Sequence, residues 1–353
     1  MGRPTTMTAA VKPAPGPGFV ITTVPVPSPR PDDVLLQVEA TSLCGTDLAT
    51  MAWTGFGSQK VKPPRILGHE CCGTVVDVGA AVTGVQVGDL VAVETHIACG
   101  ACDLCQLDRR HLCRDMDLLG ATVDGCFADC LAVPARSVWR LPGETPPVLA
   151  ALMEPLSAAG HAVFAGEGVS GQRVLITGAG PIGAMALALC RAAGAAHIAI
   201  TDIGHYRRAL AKELGADIVT EPAAAPAAIR QIGQADVLIE ASGNPQALRQ
   251  GLELLRPGGR AALVGLTPET VELDLTHQVI LKGITLHGIY GRRIFASWYR
   301  TSNLLRQLDL TPLITHVLPL TQLHHAAELA RTGACGKVVL LPPTALDANR
   351  PAQ

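Results

Sequence analysis

No segment of this sequence concentrates charge of one sign: its 28 Lys and Arg and 30 Asp and Glu are interspersed, and the formal charge is −2. That absence removes the electrostatic footprint expected of a protein that grips nucleic acid or an anionic membrane surface. No apolar run reaches the ~18 residues of a membrane span, and the first residues lack a basic stretch followed by an apolar core. Neither anchoring nor secretion is therefore expected. The chain reads as cytoplasmic, with a small molecule as its partner. Internal repeats are also missing. Charged residues make up only 16% against 48% hydrophobic, far from the composition of a disordered chain. At 353 residues the sequence exceeds one ordinary domain, and at roughly 150 residues per domain two are expected.

What the sequence has in excess is cysteine, 11 in all, with Cys99, Cys102, Cys105 and Cys113 crowded together. Three thiolates at i, i+3 and i+6 can fold around one tetrahedral ion. A fourth closes the shell without leaving room for water, as a structural zinc site requires. The alternative, a set of buried free thiols, does not need this spacing. In a reducing compartment metal is favoured over disulfides.

The first half reads as strands and turns, with β-rich runs at Val34 to Ala40, Gly73 to Val78 and Leu90 to Val93. From about Gly171 the pattern changes. Strands at Arg173 to Thr177, His197 to Thr201 and Val237 to Glu240 alternate with helical stretches at Ile182 to Ala193, His205 to Leu214 and Pro245 to Leu255. Such alternation predicts βαβ units around a parallel sheet. Arg256 to Gly259 reads as a turn before a strand at Arg260 to Gly265, Pro222 to Ala228 as a surface connection, and the tail after Pro342 as disordered.

Between the first of these strands and its helix lies Gly178-Ala179-Gly180-Pro181-Ile182-Gly183, with Asp202 closing the next strand. Glycine permits the tight turn and the close approach of backbone to a pyrophosphate, whose charge is met by the positive end of the helix. A carboxylate at Asp202 would accept from both adenosine-ribose hydroxyls and repel a 2′-phosphate, which favours NAD over NADP. A tight turn without a ligand is the alternative, and it leaves Asp202 unexplained.

A third group is dispersed: Cys44-Gly45-Thr46-Asp47, Gly68-His69-Glu70 and Glu154-Pro155. Cys, His and carboxylate are ligand types of a zinc that keeps one position open. The order of these pieces, the four-cysteine lobe, the glycine turn and the following Asp resembles the zinc-containing medium-chain dehydrogenase/reductase (alcohol dehydrogenase) family over nearly the whole chain. Its threonine-oxidising branch is the most similar, on Ser58-Gln59-Lys60, Thr95 to Gly100, His111 to Arg114, Gly125 to Ala128, Tyr206-Arg207, Trp298-Tyr299, Ile314 to His316 and, above all, Gly288-Ile289-Tyr290-Gly291-Arg292.

The resemblance implies an α/β fold: a GroES-like, β-rich zinc-binding catalytic domain over 1–160, a Rossmann NAD-binding domain with a doubly wound parallel sheet over 161–298, and a C-terminal segment over 299–353 returning to the first. It implies two zinc ions per subunit. One is catalytic, on Cys44, His69 and Glu70 with Glu154 as proton relay or exchanging ligand; the other is structural, on the four cysteines. It also implies Thr46 as acceptor of the substrate proton, and NAD contacts at Gly178, Gly180, Pro181, Ile182, Gly183, Asp202, Arg207, Val264, Gly265, Leu266, Ile289 and Tyr290. A homo-oligomer, tetramer or dimer, is implied as well. The expected reaction is NAD-linked oxidation of a secondary alcohol resembling threonine. A polyol or vicinal diol is the alternative substrate, and a nucleotide-binding protein without catalysis is an alternative of another class.

Three positions depart from that branch: Ala49 where it usually carries His, Leu156-Ser157-Ala158 after the Glu-Pro pair, and Arg293 where it usually carries Glu. His96 could line the substrate pocket as a catalytic residue or be a hydrogen-bonded structural one. Cys71 and Cys72 read as packing residues and His324-His325 as solvated.

Overall fold

The structure, a computed structural model, describes residues 4–267 and 269–348. The chain forms two compact units: one built from the stretch up to Glu154, His316–Arg331 and the residues from Lys337 onward, the other from Pro155–Thr315 and Thr332–Gly336. The C-terminal segment expected from 299 is thus shared, since its first helix, Ala296–Leu305, belongs to the second unit.

In the first unit the long strand Asp33–Ser42 is the organising element. It pairs antiparallel with Glu70–Val78, with Cys130–Pro134 and with the final strand Lys337–Leu341. Leu35, Leu36, Val38 and Ala40 on successive faces are all inaccessible to solvent, because the sheet is covered on both sides. The register Ser42↔Glu70 and Val339↔Ser42 gathers three distant segments at one end of this strand.

The second unit is a six-stranded sheet in the order Ile218–Thr220, His197–Thr201, Arg173–Thr177, Ala235–Glu240, Leu255–Leu263, Thr285–Gly288. All its pairings are parallel. This is the doubly wound Rossmann arrangement, in which the strand order reverses beside the first strand and opens a crevice there. Leu175, Ile176, Ile198, Ile200, Leu238 and Ile239 lie in continuous buried runs along its strands, the pattern of strands covered by helices on both faces.

Three expectations are corrected. The surface connection expected over Pro222 to Ala228 is instead a 3₁₀ turn, Pro222–Ala224, leading into the helix Ala225–Ile232. Proline is tolerated in the first turn of a helix, where its missing N–H has no partner to lose, and Ala225 and Ile229 are buried. Arg256 to Gly259 is a bulge inside the strand Leu255–Leu263, where the pairing slips between Ala235 and Val237. Beyond Pro342 the chain forms the helix Pro343–Ala348, whose Thr344 backbone N–H donates to the buried carboxylate of Asp129 at 3.3 Å; residues 349–353 lie outside the described ones.

Asp236, on the strand Ala235–Glu240, ties its strand to both neighbours. Its carboxylate accepts from the Arg173 backbone N–H at 2.8 Å and side chain at 2.9 Å, and pairs with Arg256. The Arg173 side chain first, then the other donors against the cost of burial, hold this carboxyl well below the ordinary carboxylate range. Asp236→Asn removes the charge and leaves both guanidinium groups underpaired, at an expected cost of about 2–3 kcal/mol. Because the folded-state pKa is depressed, the contribution is complete above the unfolded value of about 3.9 and fades as pH falls below it. Urea midpoints of the two proteins should differ at pH 7 and converge in acid; equal midpoints at pH 7 would remove this role.

Candidate active site

Strand pairing, rather than proximity in sequence, brings the dispersed residues together. Two residues after Ser42 leaves the sheet, Cys44 caps the helix Gly45–Ala52 in an extended conformation. Opposite Ser42, Glu70 opens its own strand, preceded by His69. Gly68 takes φ +88°, and a Cβ there would lie 2.3 Å from the Phe127 ring, so only glycine lets the chain turn into this site. As a result one ligand atom each from Cys44, His69 and Glu70 fall within 4.8 Å of one another, as a single ion requires.

The surroundings fit a metal. His69 Nδ1 lies 3.2 Å from Asp47 Oδ1, while Asp47 Oδ2 accepts the Cys44 backbone N–H at 2.9 Å. A carboxylate behind an imidazole fixes the tautomer and leaves Nε2 to face an ion. Burial works against protonation of His69, but the neighbouring Asp47 and Cys44 charges outweigh it and raise the imidazole well above its ordinary pKa. Nearly buried Glu154 meets this group through Thr95, whose hydroxyl is 2.9 Å from Glu154 Oε1 and 2.8 Å from the His69 carbonyl. With one proton to give, that hydroxyl donates to one of the two at a time. Glu70 Oε2 accepts from Ser42 Oγ and from Lys337 Nζ.

Thr46 sits half-buried in the first turn of the Cys44 helix, its carbonyl accepting the Thr50 hydroxyl at 2.9 Å. Ala49 lies half-buried on the same helix. His96 is buried one residue beyond Thr95, its backbone N–H donating to Glu94 Oε1 at 2.8 Å. Cys71 and Cys72 are buried in the strand after Glu70, and burial pushes both thiols up. His324 and His325 are exposed, His324 stacking on Phe19 with centroids 4.1 Å apart.

In the cysteine lobe the Sγ atoms of Cys99, Cys102, Cys105 and Cys113 also lie within 4.8 Å of one another. Cys99 Sγ accepts the backbone N–H groups of Ala101 and Cys102, each at 3.4 Å, and Cys113 Sγ accepts that of Cys99 at 3.2 Å. Backbone N–H groups of Arg114 and then Cys105 draw the Cys102 thiol down to about 6, while burial pushes Cys105 up to about 12. N–H groups aimed at sulfur are suited to thiolate ligands of one ion.

In the second unit, Gly178 turns at φ +89°, and a Cβ on Gly183 would fall 1.9 Å from the Gly178 carbonyl oxygen. Glycine at both places lets the helix Pro181–Ala192, which Pro181 and Ile182 open, pack directly on the strand end. A cleft of about 590 Å³ opens there, lined by Gly178, Gly180, Asp202 and Arg207 among the expected residues. Asp202 closes it from one side. Its oxygens accept from Ala179 N at 2.8 Å and Gly204 N at 2.7 Å, and Arg207 Nη1 stands 3.9 Å away. Glu221, Ser242, Asn244 and Gln250 complete the wall; no motif in the sequence pointed to them. Val264, Gly265 and Leu266 follow the fifth strand, with Gly265 N donating to the Glu240 carbonyl at 2.9 Å and Leu266 exposed. Ile289 N donates to Leu263 O at 3.0 Å, which leaves Tyr290 half-exposed beside that strand end.

Two of the three departures prove internal or peripheral. Ser157 is fully buried, and its hydroxyl is 2.9 Å from that of Thr301 on the helix Ala296–Leu305. Arg293 is exposed, and its carbonyl accepts from Ser297 at the start of the same helix.

The chain matches the Alcohol dehydrogenase GroES-like domain over residues 30–143 and the zinc-binding dehydrogenase domain over 181–307. It is 42% identical to the L-threonine 3-dehydrogenase of Pyrococcus horikoshii over 343 residues, 95% of this chain and 98% of that protein. Among solved structures, a zinc-binding dehydrogenase of Sinorhizobium meliloti 1021 bound to NADP superposes with a TM-score of 0.88 at 28% identity, covering 96% of this chain and 100% of that one. The 2R,3R-butanediol dehydrogenase of Bacillus subtilis gives 0.85 at 27%, covering 95% and 99%. With two matching domains in this order and relatives alike over almost their full length, the chain belongs to the zinc-containing medium-chain alcohol dehydrogenase family.

Proposed function

We propose that the protein oxidises the secondary hydroxyl of a threonine-like amino alcohol to a ketone, with NAD as acceptor and two zinc ions per chain. The observation that carries this is the convergence of Cys44, His69 and Glu70 in a chain alike from end to end to L-threonine 3-dehydrogenases. When bound at these residues, zinc supplies a Lewis acid toward the substrate oxygen, and NAD supplies the hydride acceptor. Asp47 orients the His69 ring, Thr95 holds Glu154 close as relay or exchanging ligand, and the Thr46 hydroxyl takes the proton leaving the alcohol. His96, buried beside Thr95, is assigned to the pocket wall. Gly178 to Gly183 cradle the pyrophosphate, and Asp202 accepts from the ribose hydroxyls in the cleft it shares with Arg207. The strand ends at Val264 to Leu266 and at Ile289-Tyr290 take the rest of the cofactor.

Formation of NADH with L-threonine, set against a panel of polyols and vicinal diols, tests the substrate. The expected kcat/KM for threonine exceeds that for any polyol by at least about 10²-fold, since polar groups built for an amino acid are left unpaired by a polyol. A faster polyol would establish the second reading, which the butanediol dehydrogenase likeness favours.

We also assign the chain to a homo-oligomer, tetramer or dimer, in the cytoplasm. Support for assembly is the edge strand Thr285–Gly288, where exposed Leu286 stands with exposed Ile280 and Leu281 nearby in the chain. Support for a reducing compartment is that none of the cysteines is in a disulfide. No helix among the described residues is long and apolar enough to cross a membrane.

A further inference from the structure

Lys337 stands at the start of the final strand, 267 residues from Glu70 in sequence, yet its ammonium is in contact with the Glu70 carboxylate. Both side chains are almost wholly inaccessible, at 2% and 1% exposure. Antiparallel pairing of Val339 with Ser42, together with the Leu43 N–H donating to Val338 O at 3.0 Å, carries the lysine to this point. Lys337 Nζ also donates to the Leu43 carbonyl at 2.9 Å, one residue before Cys44. Burying such an ion pair adds little stability, because desolvating two ions costs about what their attraction returns. A buried cation beside residues suited to a divalent cation is also repelled by whatever ion they hold. Its value therefore lies elsewhere.

Ser42 Oγ and Lys337 Nζ both donate to the same oxygen, Oε2 of Glu70. An oxygen occupied by a hydroxyl and an ammonium is held away from an ion and made less basic toward it. We infer that Lys337 is a positioning residue that restrains Glu70 to a weak, one-oxygen hold on the ion, so that one coordination position stays uncommitted. The inference rests on Cys44, His69 and Glu70 being metal ligands. Without Lys337, Glu70 turns both oxygens to the ion and binds it more tightly.

The test uses the whole enzyme with cobalt(II) exchanged into the catalytic site, compared as wild type, Lys337→Met, Lys337→Arg and Ser42→Ala. Two quantities are read: the rate at which a chelator such as dipicolinate extracts the catalytic ion, and the intensity of the cobalt d–d absorption, which drops when four-coordination becomes five. Expected for Lys337→Met are extraction slowed about tenfold, the scale on which groups behind metal ligands act, and weaker d–d bands. Lys337→Arg should restore both. Ser42→Ala, which removes the neutral donor alone, should shift both the same way by less, and it carries the test should Lys337→Met fail to fold. Extraction that is unchanged or faster, with an unaltered spectrum, overturns the inference, since a lysine that only props the fold would loosen the ion when removed. A wild-type chain holding one zinc instead of two would overturn the ligand assignment itself, a result distinct from either.

Discussion

Cys44→Ser should lower kcat by at least about 10³-fold while leaving the dissociation constant for NAD within about twofold of wild type. The Lewis acid contributes several kcal/mol toward the developing charge on the substrate oxygen, and each 1.36 kcal/mol is a factor of ten in rate. A serine hydroxyl stays protonated where a thiolate would coordinate, so His69 and Glu70 alone would have to retain the ion. The cofactor contacts assigned to Gly178, Gly180, Asp202 and Arg207 belong to the second unit, whereas Cys44 belongs to the first. Zinc content should fall from two ions per chain toward one, measured by atomic absorption alongside NADH formation and a fluorescence titration with NAD. Wild-type turnover in this variant would remove zinc from the proposed chemistry.

How legible each part was in the sequence follows from how local its cause is. The glycine turn was legible because strand, turn, helix and acid are consecutive, and each has its own physical demand: φ +89° at Gly178, backbone contact at Gly183, a carboxylate at Asp202. The parallel sheet followed from alternating periodicity, although the helix Ala225–Ile232 was hidden by a composition of alanine and proline that also suits a loop. The proposed catalytic ligands behave differently. Cys44 and Glu70 meet through the register Ser42↔Glu70, which no spacing rule encodes, so only the family resemblance could group them. Asp47 lay in view within the same motif but gains its meaning from the 3.2 Å approach to His69. Lys337 gave no signal, because an ordinary strand-initiating lysine and a buried counter-ion look identical until the strand is placed. Ser157 shows the converse: it differs visibly from the threonine-oxidising branch, yet packing against Thr301 makes that difference an interior matter.

Cys113→Ser in the four-cysteine lobe should cost stability rather than chemistry. Four negative sulfurs within 4.8 Å need a cation between them. The protein contacts of the lobe include the exposed Asp103–Arg114 pair at 2.8 Å and a small apolar cluster of Ala98 and Met116 with the cysteines themselves. Binding free energy of a structural zinc is largely folding free energy, so losing one ligand removes a share of about 10–16 kcal/mol. Even a third of that would lower the melting temperature by about 10 °C or more in a domain of this size. The sign with pH follows from the ligands. Metal-bound thiols have depressed pKa values, so the stabilisation is complete near neutrality and disappears as acid protonates them. Calorimetry of wild type and Cys113→Ser should therefore show a gap at pH 7.5 that closes toward pH 4, with one zinc per chain lost in the variant. A variant that keeps both ions and melts with the wild type would mean that the N–H groups aimed at these sulfurs serve packing alone.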